Sequence, residues 1–151
     1  MKLSQMFCPR SDTLDLKAKN GINMVTVPDW WKTVRYFHPS EFDSPDQPGS
    51  GSMMERGIIQ ALDIIREGLG RPLVVNSGFR TASHNATLPD SSKDSSHIRG
   101  WAVDLSVRDS RTRSAVLSGA HKVGIVRIGI GKTMVHLDMD PALPQWVIWL
   151  Y

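Results

Sequence analysis

The chain has 151 residues, 40% of them apolar, with a formal net charge of +3, five histidines and one cysteine. That is the length of one domain with enough apolar residues for an ordinary core, and a single cysteine excludes both a disulfide framework and a thiolate zinc site. The positive excess suits an anionic partner, but Lys and Arg are scattered without the stripe that nucleic-acid binding uses, so no nucleic acid is expected; no stretch approaches membrane-spanning length, so neither is membrane insertion.

Residues 1–36 are polar and charged, with a turn at Lys19-Asn20-Gly21 and an apolar Val25-Thr26-Val27 before Pro28. They read as an irregular N-terminal arm with one strand on a single domain spanning 1–151. Met1 to Phe7 carries one positive charge and no apolar run of signal-peptide length, so export by a signal peptide is not expected. Cys8 reads as a small structural side chain. Trp30-Trp31 reads as a core or lid pair in preference to a stacking platform. His38, beside Pro39, reads as structural, and the Pro-, Asp-, Ser- and Gly-rich run from Asp43 to Gly51 as a surface connection.

Ser52 and Glu55 form a capping-box pattern, and Met54, Ile58, Ala61, Leu62, Ile65 and Leu69 recur at helical spacing, so a core helix is expected from Ser52 to Gly70. Leu73-Val74-Val75 reads as a short buried strand. It leads into Asn76-Ser77-Gly78-Phe79-Arg80-Thr81, where Arg80, at a strand end beside a glycine turn, is well placed to hold a carboxylate. A helical turn carrying His84 and Asn85 and a polar loop follow. After Gly100 the residues alternate, with Trp101, Val103, Leu105 and Val107 on one face and Ala102, Asp104 and Ser106 on the other. Asp109-Ser110 caps a second helix with Thr112, Ala115, Val116 and Ala120 facing inward and Gly124 ending it; His121, in its last turn, suits the helix dipole. Ile125–Ile130 and Met134–Met139, joined by Gly131-Lys132-Thr133, read as a hairpin whose second strand turns Met134, His136, Asp138 and Asp140 away from the more apolar row. The last run, Trp146 to Tyr151, is apolar enough to dock on the core. The order of elements predicts an α+β fold: a mostly antiparallel sheet with helices packed on one side and an open face.

His97, Asp104 and His136 supply two imidazoles and one carboxylate from different elements, a donor set suited to a catalytic zinc with an open position. Taken in order, Ser77-Gly78-Phe79-Arg80-Thr81, His84-Asn85, Ser96-His97 with six residues to Asp104, and Val135-His136-Leu137-Asp138 resemble the zinc D-alanyl-D-alanine peptidase family. Its members include bacterial wall carboxypeptidases, murein endopeptidases and phage endolysins, and its fold is shared with the hedgehog signalling domain. The resemblance covers about residues 37–151. It implies an open zinc cleft on that face, zinc on His97, Asp104 and His136, Arg80 holding a substrate carboxylate or carbonyl, and cleavage of peptide bonds in peptidoglycan by an endopeptidase or carboxypeptidase. A phage endolysin, held in the host cytoplasm until lysis and then acting at the cell wall, fits the N-terminal sequence. In several branches of the family an acidic residue or a histidine just upstream of the last zinc histidine serves as general base, and this chain has Thr133 and Met134 at those places. Asp138 is the nearest carboxylate in sequence and the candidate base; supporting His136 or the turn is its other reading. An inactive zinc-containing module that binds the wall, or serves in a phage structure, is the alternative to an enzyme.

Overall fold

The computed structural model describes residues 26–89 and 91–151. Cys8, the Lys19-Asn20-Gly21 turn and Val25 lie outside these residues, while Thr26 and Val27 belong to no strand. The elements are helices α1 (Arg56–Leu69), α2 (Ala82–Thr87) and α3 (Ser110–Lys122), and strands β1 (Val75–Ser77), β2 (Ala102–Ser106), β3 (Arg127–Ile130), β4 (Met134–Asp138) and β5 (Val147–Leu150). The strands form one sheet in the order β1-β2-β4-β3-β5. Three pairings are antiparallel and the last, β3 with β5, is parallel. The α+β, mostly antiparallel expectation is therefore met. Among the described residues no helix is long and apolar enough to cross a membrane.

Strand alternation divides the sheet chemically. On one face Val103 and Leu105 of β2, Val135 and Leu137 of β4 and Ile128 of β3 join Ile58, Ile59, Leu62 and Ile65 of α1 and Val116 and Ala120 of α3 in one buried cluster. Gly119 of α3 lets that helix close on Ile65, since a Cβ there would stand 3.1 Å from the Ile65 side chain. The opposite face carries Asp104, His136, Gly129 and Trp149 side by side, because the registers pair Asp104 with His136, His136 with Gly129 and Gly129 with Trp149.

The sequence expectations hold for α3, where the Asp109 carboxylate accepts from the Thr112 backbone N–H at 2.8 Å, and for the hairpin, where Gly131 N–H bonds Met134 O at 2.9 Å. Three need correction. The Ser52/Glu55 capping box does not form. Ser50–Met53 is a separate 3-10 turn in which the Ser52 hydroxyl donates to Gly49 O, and α1 starts only at Arg56. Tertiary packing overrides the local signal here: Gly51 is pressed onto the backbone of Pro39 and Phe42, with no room for a side chain. The first strand lies two residues later than expected. Leu73 enters the core while Val74 is 60% exposed, and an irregularity in the pairing with β2 shifts the alternation. The C-terminal run does not bury in the core. It adds an edge strand, and Ile148 and Leu150, on the face that carries Ile128, stay exposed.

One glycine decides how the chain enters β2. Gly100 has φ +75°, and a Cβ there would lie 2.5 Å from the carbonyl oxygen of Met53. Gly100→Ala combines a left-handed backbone with a backbone clash, and is expected to cost at least about 2 kcal/mol. A lowered urea midpoint at unchanged slope checks this.

Candidate metal centre

The β2–β4 register places Asp104 directly across from His136, and Asp104 Oδ1 lies 2.8 Å from His136 Nδ1. His97 comes from the tight turn before β2. Within that turn Ile98 N–H bonds Ser95 O, Gly100 N–H bonds His97 O and Trp101 N–H bonds Ser96 O, so the chain folds back and the imidazole reaches the sheet face. The His97 Nδ1 group donates to the carbonyl of Gly78 at 2.7 Å. A carbonyl only accepts, so the proton is on Nδ1 and the Nε2 lone pair is left facing inward. Nε2 stands 3.3 Å from Asp104 Oδ2 and 3.3 Å from His136 Nδ1. His136 in turn points its Nε2 at Asp138, 3.7 Å from Oδ2.

Asp104, His97 and His136 are all buried, and one potential ligand atom from each lies within 4.8 Å of the others. Two imidazole nitrogens and one carboxylate oxygen fit zinc with a position left for water or substrate. Each ring also has the outer partner such ligands need, Gly78 O for His97 and the Asp138 carboxylate for His136. Burial pushes His97 down, toward the neutral form that binds metal. Burial also pushes His136 down, but hydrogen bonds with Asp104 and Asp138 outweigh it and raise the ring. For Asp104 burial pushes upward, yet hydrogen bonds from His136 and His97 hold the carboxyl well below the usual range.

Arg80 spans the trio's edge. Its Nη2 donates to Asp104 Oδ2 at 2.6 Å and its Nε to the Ser77 hydroxyl at 2.9 Å. Asp138 lies beneath, 2% exposed. It accepts from the Ser96 hydroxyl at 2.8 Å, from Arg127 Nε at 3.0 Å and from the Asp140 backbone N–H at 2.8 Å. Burial would raise its carboxyl, but hydrogen bonds from His136, Asp140, Ser96 and Arg127 bring it from 3.8 down to about 2. Arg127 is itself held under the Trp149 ring, 5.6 Å from its centroid.

The trio and Arg80 open into a cleft of about 550 Å³ that is also lined by Leu88, Pro89, the serines 91, 92 and 95, Met134 and Tyr151. Thr133 is exposed, and Met134 offers the cleft only a thioether. The remaining histidines stay apart from the trio. His38 caps its own turn by accepting from Ser40 N–H, His84 sits on α2, and His121 is exposed at the end of α3. Sequence reasoning did not single out Ser77, which steadies Arg80, or Trp149 and Tyr151, which stand beside His136. The period-2 pattern of residues 147–151 puts the two aromatics on one face, but carries no sign of the strand they pair with.

A family model described as Peptidase M15 matches residues 35–140. Its span takes in Arg80, His97, Asp104, His136 and Asp138 and stops short of β5. Among curated proteins no match is found. Matched over that much of its length, and with a buried His-Asp-His trio inside the matched span, the chain belongs to the peptidase M15 family, whose members are zinc metallopeptidases.

Proposed function

We propose that this protein is a zinc-dependent peptidase that hydrolyses peptide bonds of peptidoglycan stem peptides or cross-links, in the manner of a phage endolysin. The observation that carries this reading is the buried convergence of His97 Nε2, Asp104 and His136 Nδ1 on the floor of an open cleft. When bound there, zinc lowers the pKa of a water molecule and polarises a carbonyl oxygen. The chain's own groups divide the rest of the work. Gly78 O and Asp138 fix the two imidazoles, each from its outer nitrogen, so that the inner nitrogens converge. Arg80 aligns Asp104 and stands at the cleft wall, where its guanidinium meets the negative charge that develops on a substrate oxygen. Its two directed bonds, to Ser77 and Asp104, hold it in place before substrate arrives.

Asp138 supports His136 in this reading, the second of its two sequence roles, because its oxygens are already engaged by Ser96, Arg127 and the Asp140 backbone. Asp138→Asn should then weaken zinc affinity by about 10–100-fold, measured by competition with a chromophoric chelator. A variant that keeps its zinc affinity but loses turnover would make Asp138 the base instead.

One observation favours the inactive wall-binding module as a second reading: Asp104 is the only carboxylate among the described residues that line the cleft. The two readings separate on one assay, the release of amino groups from purified peptidoglycan by zinc-loaded protein beside a chelated control. Chelator-sensitive release supports the peptidase, with free D-alanine marking a carboxypeptidase and newly exposed cross-link amines an endopeptidase. No release from several types of wall, with zinc shown to be bound, selects the module.

A further inference from the structure

We propose that Tyr151 is a further catalytic residue of this cleft: its phenol O–H donates a hydrogen bond to the substrate carbonyl oxygen as that oxygen becomes negative. The proposal rests on the peptidase reading above. Parallel pairing of β5 with β3 sets Trp149 beside Gly129, which is itself beside His136, and Tyr151 N–H extends the pairing by bonding Ile130 O at 3.0 Å. Tyr151 therefore follows Trp149 on the face that carries Asp104 and His136.

Room for the two rings comes from a missing side chain. A Cβ on Gly129 would lie 2.6 Å from the Tyr151 ring and 2.8 Å from the Trp149 ring. The Tyr151 ring stands edge-on to His136, with centroids 6.4 Å apart, and edge-on to Trp149 at 6.1 Å. The tyrosine lines the same cleft as His97, Asp104, His136 and Arg80. It is nonetheless 71% exposed, so burial does not account for an aromatic residue at this place. Its contacts with Trp149 hold the ring while leaving it open to the cleft.

The chemistry of the cleft asks for such a donor. Arg80 gives its Nε to Ser77 and an Nη2 N–H to Asp104, so it meets the substrate oxygen with only part of its fork and a second donor adds to it. The positions three and two before His136, Thr133 and Met134, bring the cleft no more than a thioether. A phenol is protonated at neutral pH and donates one directed hydrogen bond without bringing a charge to be neutralised. Because Tyr151 lies beyond the residues 35–140 that the family model matches, this donor is a feature of the chain outside that span.

Tyr151→Phe keeps the ring against Trp149 and removes only the hydroxyl. The expected result on muropeptide substrate is a fall in kcat of about 10–100-fold with KM within about twofold and zinc affinity unchanged. Affinity for a phosphinate analogue of the scissile dipeptide should fall by a similar factor, since such a group mimics the charged oxygen. An active parent whose Tyr151→Phe variant keeps the parental kcat overturns the proposal and leaves the peptidase intact. A change confined to KM, or one that follows lost zinc affinity, overturns it as well and makes the ring a wall of the cleft. No turnover by the zinc-loaded parent overturns the peptidase reading, and this proposal with it.

Discussion

His136→Ala is expected to strip the protein of zinc and reduce peptidoglycan hydrolysis to the level of the chelated control. His136 meets both other members of the trio. Its Nδ1 lies 2.8 Å from Asp104 and 3.3 Å from His97 Nε2, and its Nε2 faces Asp138. Loss of an outer partner of a zinc ligand already costs about 10–100-fold in metal affinity, and removing the ligand itself costs more than that. Two ligands remain, which is below the three that a catalytic zinc site uses. The hydrolytic loss is therefore expected to exceed about a thousandfold, as the activated water is lost with the ion. Metal content after gel filtration, read beside the rate, checks both halves. Parental hydrolysis in the variant would remove His136 from the centre. The substitution also opens a space beside Trp149, so metal-free parent and variant should be compared by thermal melting to separate unfolding from loss of zinc.

Arg80→Ala is expected to lose about 100–1000-fold in kcat when compared with the parent at saturating zinc. The guanidinium is the only cation, apart from histidine, among the described residues that line the cleft. Its position is set from two directions, by the Ser77 hydroxyl and by Asp104. Lysine cannot repeat that arrangement, because an ammonium on a flexible stem lacks the planar fork that holds two acceptors at once. Arg80→Lys should accordingly recover less than a tenth of the lost rate. If Arg80→Ala instead raises KM and leaves kcat unchanged, the arginine binds substrate and transition state equally and has no part in stabilising developing charge. Because Arg80 donates to Asp104, its removal is expected to weaken zinc binding by about 10–100-fold as well, so parent and variants are compared with zinc in excess and its occupancy measured.

The helices and the hairpin were legible because their signals are local. The 3.6-residue recurrence of Ile58, Leu62 and Ile65, the Asp109 cap and the Gly131 turn each act within a few residues, and the structure keeps all of them. The capping box at Ser52 is a local signal that failed, because Gly51 packs against the backbone of Pro39 and Phe42, which lie outside the stretch that carries the signal. The trio was legible in part for a related reason: period-2 alternation already puts Asp104 and His136 on faces away from the most apolar rows of their strands. That the two faces are one face, with Asp104 opposite His136, follows only from the β2–β4 register.

What the sequence by itself determined is the α+β class, the helix spans to within a few residues, and a His, Asp and His set suited to a metal. These depend on side-chain type and periodicity, which are written along the chain. The tertiary structure decided which nitrogen of each histidine faces inward, the engagement of Asp138 by Arg127 and Ser96, and the arrival of Trp149 and Tyr151 at the cleft. These depend on hydrogen bonds and strand pairing between residues 11 to 42 positions apart, and on which strand β5 joins. No periodicity encodes such distances, because each is fixed only when the separate elements pack and their buried polar groups must find partners.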